Sequence, residues 1–258
     1  MTMPRSATVE LDVRRFERDG YVVMRGLLDP ATCGVLRAAA RGALSPLLAP
    51  VEYEADVGYP GAPASRDTDG GGTARRLLNA LSRDACYRTW ATSSHLGACL
   101  RDLMHTPAVL VSQCHHNCVM TKQPSHSSRT GWHQDIRYWS FDRPQLVSVW
   151  LALGAETQDN GALRVIPGSH HMALDRGQLD AALFLREDLA QNRELIAAAV
   201  PIELEPGDAL FFDCKLFHAA GTNDTAEVKL SLVFTYHAAD NLPIPGTRSA
   251  NYPSLPVG

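Results

Sequence analysis

The sequence predicts a mainly β protein with flanking α-helices, arranged as a two-sheet antiparallel jelly roll. Three observations carry that prediction. From Val109 nearly to the end, short apolar runs alternate with turn residues. The first 105 residues or so hold the main segments with helical periodicity instead. At 258 residues and 45% hydrophobic, the chain can bury one sizeable core, and a β-rich fold of that length forms a single domain. The expected division over residues 1–258 is a helical part to about 105, a jelly-roll core over about 106–240 and a short carboxy-terminal tail.

In chain order, Val9 to Arg18 has helical spacing and stops at Asp19-Gly20. Tyr21 to Met24 follows as a short strand. Asp29-Pro30 starts a helix, with Asp29 as its cap and Pro30 in its first turn, and the Ala/Leu/Arg-rich run extends it to Leu48. Pro50 to Gly72 is aperiodic and rich in Gly, Pro, Ala and Asp, which fits either a surface loop or a lid over a site. Thr73 to Asn79 suits a strand or turn and carries Arg75 and Arg76. Cys86 to Met104 is predicted as one helix. A helical insertion over about Leu179 to Ala199 connects strands of the β-rich half.

Trp132-His133-Gln134-Asp135 is the chemical centre of the chain. On an extended segment, His-x-Asp places an imidazole and a carboxylate on one face. His218, which ends the apolar run beginning at Pro206-Gly207-Asp208, supplies a third ligand. Two histidines and one carboxylate form the facial triad of non-haem Fe(II), leaving three positions for a bidentate cosubstrate and dioxygen. Arg137 alternates onto the face of His133 and Asp135. Together with Tyr138 and Trp139 it either meets an anionic or carbonyl-bearing substrate or lies solvated beside the mouth of the site.

Other clusters are weaker. Cys114, His116 and Cys118 share a face, but no second paired cluster accompanies them and the run suits an interior strand, which argues against zinc. His170-His171 fits a structural or solvent-facing role, and His126 and His237 remain minor alternative ligands.

Four segments together resemble the phytanoyl-CoA dioxygenase family of Fe(II)/2-oxoglutarate oxygenases: Phe16 to Val23, His133-Gln134-Asp135, Asp159 to His170, and Pro206 through His218 to Asn223. The resemblance runs from about residue 10 to about 240 and implies a double-stranded β-helix of the cupin-like jelly-roll type. It also implies an Arg where this chain has Lys229, eleven positions past His218. Lysine keeps the charge for the distal carboxylate of 2-oxoglutarate but lacks the guanidinium fork. Ser231, on the same strand face, can add a hydroxyl. Arg76 takes the place of a second basic residue, usually Lys in the family. Cys118 stands where relatives often carry Met, Trp150 matches a pocket-wall Trp, and Gln134 lies inside the metal motif. Ala220 replaces a frequent hydroxyl.

The resemblance further implies oxidative decarboxylation of 2-oxoglutarate by dioxygen to succinate and CO2, coupled to hydroxylation of a C–H bond. Ring closure, epimerisation and desaturation are related outcomes. Asp135 fills the position that related halogenases leave for chloride, which argues against halogenation. The expected substrate is a small organic molecule. Two other classes fit the residues less well: a non-catalytic small-molecule-binding jelly roll, and a cupin-like metalloenzyme that does without 2-oxoglutarate.

A net charge of -4 gives no reason to expect nucleic acid as a partner, and no apolar stretch approaches a membrane span. Met1 to Glu10 lacks a signal-peptide core, and six irregularly spaced cysteines suit reduced thiols, so a cytoplasmic protein is expected.

Overall fold

The computed structural model describes residues 11–59 and 62–258. The reading of Met1–Glu10, including the first residues of the predicted Val9–Arg18 helix, lies outside the described residues. Helix α1 (Val13–Asp19) is capped by Asp12, whose carboxylate accepts from Arg15 N at 2.9 Å. It ends at Gly20, with φ of 80°, where a Cβ would meet the His170 ring at 2.5 Å, so only glycine fits. Strand β1 (Tyr21–Met24) leads into α2 (Pro30–Leu44), whose cap Asp29 accepts from Ala31 and Thr32. This helix stops four residues short of the predicted Leu48, because Pro46 drives Ser45 into extended backbone (φ −145°, ψ 97°).

Next come β2 (Val51–Tyr53), β3 (Ala74–Leu78) and α3 (Ala80–Arg83). The predicted Cys86–Met104 helix is two helices, α4 (Ala85–Ala91) and α5 (Ser94–Met104). The break falls at Thr92-Ser93, where the Ser93 hydroxyl caps the second helix through Leu96 N. The β-rich half contains β4 (Val109–Val111), β5 (Asn117–Lys122), β6 (Thr130–His133), β7 (Leu146–Ala152) and β8 (Leu163–Val165). Of the predicted Leu179–Ala199 insertion, only α6 (Ala190–Ala197) is helical. Its first half is irregular, with Leu183 at φ 63° and Leu185 N donating to the Trp132 carbonyl at 2.9 Å. The chain finishes with β9 (Val200–Pro201), β10 (Ala209–Asp213), β11 (His218–Ala220), β12 (Lys229–Ala238) and β13 (Leu255–Pro256).

These strands form the two sheets of a jelly roll. The larger runs β1-β10-β7-β12-β5-β3-β2, with β4 joining β12 and β13 joining β4; the smaller runs β6-β11-β8-β9. The division expected near residue 105 is therefore blurred. Three strands from the amino-terminal part form the two edges of the larger sheet, and the tail adds β13.

Side-chain alternation sorts the larger sheet into two faces. On one, Val149, Leu151, Phe211, Leu232 and Phe234 pack under α2, α4 and α5 through Leu36, Trp90 and Leu100. On the other, Trp150, Ala152, Leu210, Phe212 and Val233 meet Leu163 and Val165 of the smaller sheet. The site opens on that inner face. No helix among the described residues is long and apolar enough to cross a membrane.

Candidate metal centre

His133 ends β6 and His218 begins β11, and the two residues are direct partners in the antiparallel ladder. Their rings therefore leave the sheet on one side, with centroids 4.2 Å apart. Each Nδ1 is engaged by a backbone carbonyl, His133 with Gly131 at 2.9 Å and His218 with Leu216 at 3.0 Å. That bond fixes the tautomer and leaves Nε2 as the free lone pair, the arrangement a metal needs.

Asp135 is reached through Gln134, which is extended, and opens a 3-10 turn over Asp135–Tyr138. Its Oδ1 lies 3.8 Å from His133 Nε2 and 3.6 Å from His218 Nε2. These gaps are too long for hydrogen bonds. They are shorter than twice a metal–ligand bond of roughly 2.1 Å, so one ion can touch all three atoms. All three residues are buried, and among the described residues they form the one cluster of His, Cys, Asp and Glu with ligand atoms this close.

Two neighbours support Asp135. Ser148 Oγ on β7 donates to Oδ2 at 3.1 Å, and His116 Nδ1 lies 3.6 Å from the same oxygen. Burial pushes the Asp135 carboxyl up, but His116, His218, His133 and the Ser148 hydrogen bond together hold it below the ordinary carboxylate value. Burial, then the neighbouring His218, pushes His133 well down. The neutral imidazole and ionised carboxylate are the forms that bind a metal.

The triad lies between two cavities. One, of about 570 Å³ including its mouth, reaches between the sheets toward Trp150, Lys122 and Lys229. The other, of about 1220 Å³ including the open solvent at its mouth, is bordered by Tyr59, Asn79, Tyr138, Trp139 and Arg248. His133, Asp135, His116 and Arg76 line both.

Lys229, Ser231 and Trp150 are gathered on the inner face as expected, but around a protein carboxylate. Glu156 accepts from Lys229 Nζ at 3.0 Å, Ser231 Oγ at 2.6 Å and Trp150 Nε1 at 2.9 Å. The Lys229 ammonium also sits 4.9 Å from the Trp150 ring centre. Arg76 lines the cavity while paired with Glu52 at 3.0 Å. Cys118 borders the larger cavity, and Ala220 the smaller. Gln134 points elsewhere, its amide donating to the Lys215 carbonyl.

Arg137 does not alternate with the metal ligands, because the chain coils after Asp135. Its guanidinium lies over Phe184 at 3.9 Å and donates to the Ala182 carbonyl at 2.8 Å, bracing the irregular insertion. Tyr138 is exposed at the rim of the larger cavity.

The remaining candidates have other partners. Cys114 Sγ bonds the Tyr252 carbonyl, whereas His116 turns to Asp135. His170 and His171 both bond the Glu17 carbonyl. His237 is buried against Ser254, and His126 lies against Gly70. The 50–72 segment is less loop-like than expected. Its β2 extends the larger sheet, and Glu54, fully buried, pairs with Arg75 at 3.0 Å and accepts from Ser128.

Glu156, Lys122 and Ser148 escaped the sequence reading, and His116, considered only with Cys114 and Cys118, faces Asp135 instead. The signal for Lys122 was present as one charge closing the apolar run Cys118-Val119-Met120-Thr121.

Among curated relatives, the chain is 28% identical over 157 residues to the human peroxisomal phytanoyl-CoA dioxygenase, covering 55% of this chain and 45% of that one. It is 24% identical over 244 residues to the ectoine dioxygenase of Sphingopyxis alaskensis (strain DSM 13593 / LMG 18877 / RB2256), covering 88% and 74%. The chain thus spans less than half the length of the human relative. Among solved structures it is similar in fold to the epimerase SnoN in complex with Fe3+, alpha ketoglutarate and nogalamycin RO. The TM-score is 0.71 at 22% identity, over 95% of this chain and 94% of that one. The model of the family described as phytanoyl-CoA dioxygenase (PhyH) matches residues 16–231, and the chain belongs to that family.

Proposed function

We propose that the protein is an Fe(II)- and 2-oxoglutarate-dependent oxygenase that hydroxylates a C–H bond of a small organic molecule, releasing succinate and CO2. The observation that carries this reading is the His133–Asp135–His218 cluster, poised between a cation-lined cavity and a larger polar and aromatic one. The donor set suits iron, since two neutral imidazoles and one carboxylate leave the remaining coordination positions open.

When bound, iron and 2-oxoglutarate supply the dioxygen activation. The protein's own residues hold and orient. Gly131 and Leu216 carbonyls fix the imidazole tautomers, and Ser148 fixes the Asp135 carboxylate. Trp150 and Leu163 give the smaller cavity part of its apolar wall. The larger cavity receives the substrate, with Tyr59, Tyr138 and Trp139 offering ring faces and Asn79 a polar edge. The names of the relatives support a small molecule: one is an ectoine dioxygenase, and SnoN was solved with nogalamycin RO. Cytoplasmic residence belongs to the same proposal and is supported by six cysteines that are all free thiols.

The test has two parts. Anaerobic addition of Fe(II) and 2-oxoglutarate should produce a metal-to-ligand charge-transfer absorbance in the visible. A screen of small molecules should then find substrates that stimulate succinate release. A protein that binds iron but shows neither property refutes the assignment and favours a binding protein or an oxoglutarate-independent enzyme.

A further inference from the structure

Four cations line the smaller cavity: Arg75, Arg76, Lys122 and Lys229. Three already face carboxylates. Arg75 meets Glu54, Arg76 meets Glu52 and Lys229 meets Glu156, each at 3.0 Å. Lys122 has no carboxylate partner among the described residues; its ammonium donates to the Ser128 carbonyl at 3.0 Å. Of the four cations, Lys122 is thus the one left without a carboxylate partner among the described residues, while the carboxylate of the lining itself, Asp135, faces the histidines.

The position of Lys122 sharpens this. It closes β5 directly across the ladder from Lys229 on β12. Like charges facing each other across a sheet repel. Gly161, at φ 77°, admits the lysine stem, since a Cβ there would lie 2.8 Å from Lys122 Cδ. Lys229 is differently placed. Glu156, almost fully buried, accepts from Lys229, Ser231 and Trp150 together, so donors suited to an incoming carboxylate are already taken.

We propose that Lys122 anchors the distal carboxylate of 2-oxoglutarate, while Glu156 saturates Lys229 and makes it a positioning residue. The inference rests on the 2-oxoglutarate reading above and assigns the anchor within it. Burial, then Arg75 and Lys229, pushes the Lys122 ammonium down to about 7. An incoming carboxylate supplies the missing partner and stabilises the cation. Glu156 at the same time opposes any second anion near Lys229, so the anchor is one ammonium rather than two.

The experiment titrates anaerobic, Fe(II)-loaded protein by calorimetry with 2-oxoglutarate and with 2-oxobutyrate, which lacks the distal carboxylate. Wild type should prefer 2-oxoglutarate. Lys122→Met, which keeps the aliphatic stem, should weaken 2-oxoglutarate binding by about tenfold or more and leave 2-oxobutyrate unchanged. Glu156→Gln, near-isosteric, should tighten 2-oxoglutarate binding by freeing Lys229. Opposite signs from two buried neighbours are not what a purely structural role produces. The inference is overturned if Lys122→Met binds 2-oxoglutarate as wild type does, if it loses both ligands equally, or if Glu156→Gln weakens 2-oxoglutarate. A wild type that binds neither oxoacid overturns the functional reading itself, and this inference with it.

Discussion

Ser148→Ala isolates the support of the metal carboxylate. Ser148 is fully buried on β7, and its backbone is paired with Phe212 on one side and Thr235 on the other. Alanine leaves those ladders intact and removes one hydroxyl. What is lost is the 3.1 Å donation to Asp135 Oδ2, a hydrogen bond to a charged acceptor. Bonds of that kind contribute about 1.5–3 kcal/mol, equivalent to roughly 10–150-fold in an equilibrium constant, and groups that hydrogen-bond a metal-binding side chain typically change metal affinity by about 10–100-fold. His116, 3.6 Å from the same oxygen, can shift toward it and offset part of the loss, which favours the lower half of that range. The assay is anaerobic Fe(II) titration of purified Ser148→Ala, with thermal unfolding of the metal-free protein as a control. An Fe(II) affinity within threefold of wild type would refute the idea that Ser148 holds the carboxylate in place.

Other outcomes follow from the same geometry. Glu54→Ala leaves Arg75 buried without its partner, and should lower unfolding free energy by about 3–5 kcal/mol, visible as a reduced urea midpoint. Replacing both residues with apolar ones should recover most of that loss. His133→Ala and Asp135→Ala should each abolish iron-dependent succinate release and show no charge-transfer band, while the urea midpoint confirms that the fold persists. Lys229→Ala should destabilise the protein as well as weaken 2-oxoglutarate binding, because it strands Glu156; a variant as stable as wild type would contradict the pairing. For Lys122 the folded value near 7 lies below the ordinary 10.5. Between these values the unfolded chain binds more protons, so this group makes unfolding free energy rise with pH. The 2-oxoglutarate affinity should fall as pH rises through about 7, and Lys122→Met should flatten both profiles.

The candidate metal ligands and the jelly roll were legible because period-two alternation and turn residues are local signals, and His133, Asp135 and His218 sit in segments that carry them. Register was not legible. That His218 faces His133, or Lys122 faces Lys229, follows from ladder pairing between strands about a hundred residues apart. The Arg137 expectation failed for a local reason: the chain stops being extended at Asp135 and coils, so alternation no longer applies. Cys86–Met104 failed similarly, since Ser93 competes for backbone hydrogen bonds in the middle of a helical pattern. Glu156 was invisible because a glutamate shortly after a strand looks solvent-facing until folding brings it beside three donors.

The direct pairing of His133 with His218 makes alignment of the smaller sheet a condition for binding an ion. A slip of one residue between β6 and β11 would turn one imidazole to the opposite side. An ion held there acts as a rivet through two short strands that few ladder bonds secure. Iron loading should therefore slow amide exchange in Thr130–His133 and His218–Ala220 before the larger sheet responds, and raise the melting temperature in proportion to the logarithm of free iron.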